Sequence, residues 1–314
     1  MSRKNTELMP SLGMKRSIWQ KVWQQRALIL MTLPGLLVVL VFNYFPMYGV
    51  TIAFKDFSPR AGILRSPWIG LKWFDMFLGN PLAGKLLMNT LLLGLFSLIW
   101  GFPAPIILAL MFNELKGRKF KKLTQTISYF PHFISVVIVA GMIKEFASRT
   151  GLFNQIRELA NLPPISFLLD PKYFRSIFIG SGIWQSIGFS SIIYLAALSG
   201  VDTSLLDAAA IDGANRIQRI RYINWPTIAP TTTILLIFAI SNVLANDFTK
   251  VMLLYSPKIY SVADVIGTYT YREGIQNQQF EYTSAIGLFM SVIGFILIVI
   301  SNWVSRRVSD TSLW

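Results

Sequence analysis

Residues 207–226 read DAAAIDGANRIQRIRYINWP, a polar stretch with three arginines about its centre and a proline at its end. It lies between two apolar runs, 177–200 and 231–254. Each run is long enough to cross a hydrocarbon core of about 30 Å at about 1.5 Å per residue. The stretch has its own local logic. DAAAID favours a short helix, because alanine is the best helix former and an acidic residue near the start suits the helix dipole. Gly213 admits a backbone angle that other residues resist, so a turn is expected there. From Asn215 to Tyr222 a second polar helical run carries Arg216, Arg219 and Arg221. Pro226 and Pro230 bracket the entry to the next apolar run, and proline is tolerated in a first helical turn. The expected form is helix, turn, helix, projecting from a membrane between two spans. A solvated loop whose arginines only set topology is the plainer alternative.

Working outward, six apolar runs appear, at 27–45, 86–112, 127–146, 177–200, 231–254 and 284–304. The chain of 314 residues is 53% hydrophobic and 14% charged, where soluble domains carry about 25% charge. The second run is long enough to tilt or bend, and Pro103 and Pro105 give a cause for a bend. The net charge of +14 does not point to nucleic acid, because the basic residues flank the apolar runs. Pieces 1–26, 113–126, 201–230 and 305–314 hold 16 Lys and Arg in 80 residues, against 11 in 99 for pieces 46–85, 147–176 and 255–283. The positive-inside rule then places both termini and the quoted stretch in the cytoplasm. The expected fold is an all-α integral membrane protein of six transmembrane helices. Its expected parts are a tail and surface helix at 1–26, a transmembrane domain at 27–304 with a cytoplasmic loop at 203–230, and a tail at 305–314.

The first run is too long for a signal-peptide core and lacks a small-x-small cleavage site, so a retained helix is expected. Before it, Ile18, Trp19, Val22 and Trp23 fall at helical spacing among Lys15, Arg16, Lys21 and Arg26. That pattern predicts a basic amphipathic helix on lipid. Residues 46–85 are rich in Gly, Pro and aromatics and read as turns and interfacial belts, and 147–176, with LPPISFLLDP, reads as loop. The absence of cysteine excludes disulfides.

Catalytic and cofactor signatures fail. Gly79 to Lys85 fits G-x4-G-K, but Leu86 follows where a phosphate-binding loop needs Ser or Thr for Mg²⁺, and no strand precedes it. No cofactor site is expected in this chain. The single histidine, His132, is expected to be a packed or interfacial polar residue rather than a proton relay. No His/Cys/carboxylate cluster suits a metal, and no partner set activates a serine.

The quoted stretch resembles the EAA loop of ABC-importer permeases: E-A-A, three residues, G, nine residues, I, one residue, L-P. Here Asp207-Ala208-Ala209 is followed by three residues, Gly213, nine residues, Ile223, one residue, Trp225 and Pro226. Asp207 stands for the usual Glu and Trp225 for the usual Leu. From about residue 20 to 310 the chain is similar to the carbohydrate-uptake permeases of the type I class, oligosaccharide and polysaccharide branch. ISYFPHFISVVIVAGMI and YSVADVIGTYTYREGIQNQQFEYTSAIGLF carry that part of the likeness.

The resemblance implies a multi-pass permease subunit of a bacterial cytoplasmic membrane, not itself an enzyme. A second permease chain, usually a different one, would complete the pathway. Two ABC ATPase subunits would bind ATP and Mg²⁺, and an extracytoplasmic solute-binding protein would deliver an oligosaccharide. Asp207, Ala208, Ala209 and Gly213 would dock on an ATPase, with Ile223, Trp225 and Pro226 anchoring the return.

For substrate contacts, polar groups inside spans are the candidates. Gly182, Gln185, Ser186 and Phe189 share one helical face, and Trp184 points elsewhere. Asn242 and Asn246 share another, with Asp247 beside them. Amides, a carboxylate and an aromatic face suit a sugar. Interhelical hydrogen bonding is the alternative for Gln185, Asn242 and Asn246, and for Asp247 the alternatives are an ion pair with Lys250 or a place at the helix end. An importer permease for a non-sugar solute, an ion-coupled secondary carrier and a non-transporting scaffold remain open at this level. The carrier reading needs intramembrane charge pairs and repeated halves, which the sequence does not display.

Overall fold

A computed structural model describes residues 23–245 and 247–308. The surface-helix residues Lys15, Arg16, Ile18, Trp19, Lys21 and Val22, and the candidate Asn246, lie outside them. The chain falls into two compact units that divide after Thr51. In the first, helix α1 (Arg26–Val39) continues through a widened π turn, Leu40–Tyr44, into Phe45–Met47. The wide turn has a local cause. Pro46 has no N–H, and its ring would press on the carbonyl of Phe42 in a regular helix. Arg26 lies over the Trp23 ring at 5.0 Å.

The second unit is helical among the described residues, with one isolated bridge between Lys55 and Trp68. Helices α2 (Ala83–Gly101) and α3 (Pro103–Glu114) make one 32-residue span with its break at Phe102, where the prolines predicted a bend. Helix α4 (Arg118–Tyr129) runs through a 3-10 turn, Phe130–Phe133, before α5 (Val136–Phe146) departs at 97°. The third span expected at 127–146 is therefore broken. Pro131 removes a helical hydrogen bond, and Ser135 caps the new helix by accepting from Val137 N–H at 3.2 Å. Helix α4 carries Arg118, Lys119, Lys121 and Lys122, while Phe120, Leu123 and Ile127 are exposed.

Helix α6 (Pro171–Leu198) is the hub. It starts on the Asp170 cap and packs against α2, α3 and α4, most extensively α3. Segment 147–170, expected as loop, contains a helix, Leu152–Leu159. Buried Asn154 ties it down, donating to Ser148 and Ile165 carbonyls at 2.9 and 2.8 Å and accepting from Ile165 N–H at 2.9 Å.

The quoted stretch forms α7 (Thr203–Ile211) and α8 (Arg216–Arg219). From α8 the helix does not stop. It widens at Ile220–Asn224 and continues as α9 (Trp225–Ser241). Pro226 follows this π turn as Pro46 follows the other, and the widened turn accommodates each ring. The fifth span expected at 231–254 is thus corrected at both ends. It runs Arg216–Ser241, and α10 (Phe248–Leu254) is a separate helix.

The last part holds α11 (Ile266–Tyr271) and the 29-residue α12 (Phe280–Val308). Between α10 and α12, Arg272 binds the Asp264 carboxylate at 2.8 Å and lies over the Tyr260 and Tyr269 rings. That hydrogen bond holds the guanidinium pKa above its ordinary value. Asp264 is 7% exposed, so removing its cation strands a buried charge. Arg272→Met is expected to destabilise by about 2 kcal/mol, since Arg272 keeps some solvent access. A thermal melt of the purified protein checks it.

Two close approaches set the helix packing. A Cβ on Gly94 of α2 would sit 1.7 Å from the Val243 carbonyl oxygen, and one on Gly188 of α6 would sit 1.9 Å from that of Ser128. In lipid, where apolar burial gives little drive, small residues that admit backbone contact dominate helix association.

Candidate functional site

The polar connector between α6 and α9 is built from its caps. Asp202 accepts from Ser204 N–H at 2.9 Å and starts α7; this bond lowers the pKa of its carboxyl. Gly213 has φ +75° and ends α7 in a Schellman motif. Ala214 N–H donates to Ala209 O at 2.8 Å, and Gly213 N–H to Ala210 O at 3.2 Å. Two residues on, Asn215 and Gln218 form a reciprocal capping box, with bonds of 2.8 and 2.9 Å. The turn between α7 and α8 is fixed by these bonds. Asn215→Ala is expected to cost about 1 kcal/mol locally, read as faster hydrogen exchange at Gln218.

Asp207, Ala208, Gly213, Trp225 and Pro226 are exposed, while Ala209 and Ile223 are half-buried. Ile211 is 88% exposed and Ile217 76%. Those two isoleucines were missed in the sequence. Their signal was an apolar side chain inside a polar loop. Arg219, counted there as a topological charge, binds Glu114 at the end of α3 at 3.3 Å. The connector is thereby braced against the second span.

The second place is a cavity of about 490 Å³ whose wall, partly apolar, includes Gly182, Gln185, Ser186, His132, Asp247 and Lys250. The shared face expected on α6 is present: Gly182, Gln185 and Ser186 reach the same cavity. Phe189, one turn further, stacks flat on His132 with centroids 4.0 Å apart. It lines a neighbouring cavity that shares Gly101. Trp184 faces away, into an apolar pocket beside α5. His132, expected as a packed or interfacial residue, is exposed and sits on the cavity wall.

Three expectations change in detail. Gln185 donates to the Ile134 carbonyl at 2.9 Å and so also braces the break before α5. Asn242 lies at the end of a long helix, α9, rather than inside it. Its amide donates to Phe238 O at 2.9 Å, and it lines a cavity that shares Ser97, Phe178 and Asp247 with the first. Asp247 does not pair with the Lys250 ammonium. It caps α10 by accepting from the Lys250 backbone N–H at 3.0 Å. Among the described residues no group of His, Cys, Asp or Glu could hold a metal ion.

Long apolar helices, one of them broken at 97°, beside a cavity with polar side chains and joined by a capped polar connector, suit a multi-pass helical permease. The chain belongs to the family of binding-protein-dependent transport system inner membrane components, whose profile matches residues 87–310. It is 40% identical over 297 residues to the polygalacturonan/rhamnogalacturonan transport system permease protein YteP of Bacillus subtilis, covering 94% of this chain and 92% of that one. It superposes with a TM-score of 0.85 on a chain of a bacterial ABC transporter involved in import of the acidic polysaccharide alginate, at 39% identity over 92% of this chain and 98% of that one. A second structure, of the alginate transporter in complex with an alginate pentasaccharide-bound periplasmic protein, gives a TM-score of 0.87 at 37% identity, covering 95% and 100%. The chain is a permease subunit of a binding-protein-dependent ABC importer, and ATP hydrolysis belongs to separate subunits.

Proposed function

We propose that this chain forms half of the translocation pathway for an oligosaccharide in a bacterial cytoplasmic membrane. A second, different permease forms the other half, and the termini and the connector 203–226 face the cytoplasm. Two ATPase subunits bind ATP and Mg²⁺, and one of them seats on the connector. A solute-binding protein delivers the sugar from the other side. The observation that carries this reading is the connector itself. Its turn is locked by Gly213 and by the Asn215–Gln218 box, yet it displays Ile211 and Ile217 almost fully. Exposed apolar side chains on a rigid projection mark a contact surface. Asp207, Ala208 and Ala209 complete it, and the small alanines admit close backbone approach.

The sugar class is supported by the relatives, which transport polygalacturonan, rhamnogalacturonan or alginate. Gln185, Ser186, Phe189, Asn242, Asn246 and Asp247 remain the proposed substrate contacts, now with His132 added. The test is uptake of labelled oligosaccharides by proteoliposomes holding the full complex. Uptake is expected to need enclosed ATP and the loaded binding protein, and to persist without an ion gradient. Uptake driven by an ion gradient in the absence of ATP would contradict it.

A further inference from the structure

Beside the connector lies a groove of about 600 Å³ that the transport reading does not use. Ile107, Met111 and Leu115 line it from α3 and its C-cap, Phe120 and Thr124 from α4, and Arg216 from α8. From Ile107 to Glu114 it follows α3 for about 10 Å, at about 1.5 Å per residue. Its wall is apolar except for three side chains, and two of those are already engaged. Glu114 is held by Arg219 at 3.3 Å. The Thr124 hydroxyl turns back to the Phe120 and Lys121 carbonyls, each at 3.0 Å. The third is Arg216, an exposed cation.

More positive charge gathers at the same place. Lys116, Arg118, Lys119, Lys121 and Lys122 fall within seven residues, and 115–129 contains no acid. Lys116 adjoins Leu115, and Lys119 and Lys121 adjoin Phe120, in the groove wall. None of these side chains, nor that of Arg216, makes an ion pair, hydrogen bond or ring contact among the described residues. They do not serve the helix, because cations in a first turn oppose the dipole, and Gly117 brings no side-chain cap. Side chains on α4 lean toward its N-terminus, and so toward the end of α3. Topology asks for positive charge in this segment, but not for an apolar groove beside it.

We propose that the groove binds an anionic phospholipid of the leaflet on the connector's side. An acyl chain lies along α3, and Arg216 and Lys121 hold the phosphate. Charge selects this occupant, since a basic pocket between membrane helices recruits anionic headgroups. The apolar wall selects a chain-bearing anion over a soluble one. The lipid thereby ties α3 and α4 to the connector.

The purified whole complex, in a non-ionic detergent, is titrated with phosphatidylglycerol and with phosphatidylcholine of the same acyl chains. Native mass spectrometry counts the bound lipid. Wild type should bind phosphatidylglycerol at least about tenfold more tightly than phosphatidylcholine. The Lys121→Gln, Arg216→Gln double variant should bring that ratio below about threefold. Arg60→Gln, Arg65→Gln, at exposed positions that do not line the groove, should keep it. Thr124→Trp fills the groove, leaves the cations, and should weaken both lipids at least about fivefold. If it does not assemble, Met111→Trp, at an exposed position of the same wall, is read in its place. Glycerol phosphate, the headgroup without chains, should displace no lipid at equal concentration.

No preference in wild type, or one that survives the double variant, overturns the proposal. Unchanged binding by the filled groove overturns the seat of the acyl chain. Displacement by glycerol phosphate makes this a site for soluble phosphates and overturns the lipid. Binding to the isolated chain but not to the complex gives the groove to the second permease or an ATPase, which also overturns it.

Discussion

Gly188→Ala is expected to remove most of the assembled protein from a detergent extract. The new methyl would lie 1.9 Å from the Ser128 carbonyl oxygen, 2.3 Å from its carbon and 2.9 Å from Tyr129 N. All three are backbone atoms, so no side-chain rotation relieves the clash. Helix α6 must move off the end of α4, and α6 also packs on α2 and α3. Overpacking a core costs about 1–3 kcal/mol where side chains can adjust, and more where backbone must shift. About 3 kcal/mol or more is expected here. Gly94→Ala should behave alike, since its methyl would lie 1.7 Å from the Val243 oxygen. The matched control is Gly180→Ala on the same helix α6, where nothing lies within 4 Å. That change should be neutral or slightly stabilising, because alanine exceeds glycine as a helix former. Size-exclusion profiles and thermal melts read all three. Equal melting temperatures for Gly188→Ala and Gly180→Ala would contradict the packing described.

The second large effect is expected at the connector and leaves the fold intact. Gly213→Pro forbids the φ of +75° and removes the N–H that donates to Ala210. Asp207→Lys reverses the one acid of the Asp207-Ala208-Ala209 run. Both positions are exposed, so the helix packing has no direct stake in them. The double variant should insert and remain helical. It should bind ATPase subunits at least about tenfold more weakly, because a displaced docking helix loses its contacts together and truncating one partner of a desolvated charge pair alone costs about 2 kcal/mol or more. Circular dichroism separates this outcome from misfolding.

Much of this was legible in the sequence, for physical reasons that differ by element. Length and apolarity placed α1, the α2–α3 span, α6 and α12, because a lipid core imposes a minimum run. Spacing placed the connector, because Gly213 and the Asp207-Ala208-Ala209 run answer separate local demands. The break after α4 and the end of α9 were not placed. Hydropathy adds up side chains and does not register where carbonyls turn away from the helix axis. Pro131 was a signal for the first, and the polar residues Asn242 and Asp247 for the second. Both were absorbed into long apolar runs.

The start of the fifth span was misplaced for a related reason. Pro226 reads as a helix beginning, yet the π turn at Ile220–Asn224 carries the helix past it. Side-chain partners were the least legible. Sequence proximity pointed Lys250 at Asp247, whereas the ammonium reaches 72 residues back to Phe178. His132 and Phe189 meet through tertiary packing alone, which no spacing rule on either helix reveals.

The most direct test of the central claim is co-purification from membranes of the native host in lipid. ATPase activity is then assayed with and without the loaded binding protein. The wild-type chain should bring down an ABC ATPase whose activity the loaded binding protein stimulates, and the Asp207→Lys, Gly213→Pro double variant should lose it. A wild-type chain that purifies intact with no ATPase, or a double variant that keeps it, would contradict the account.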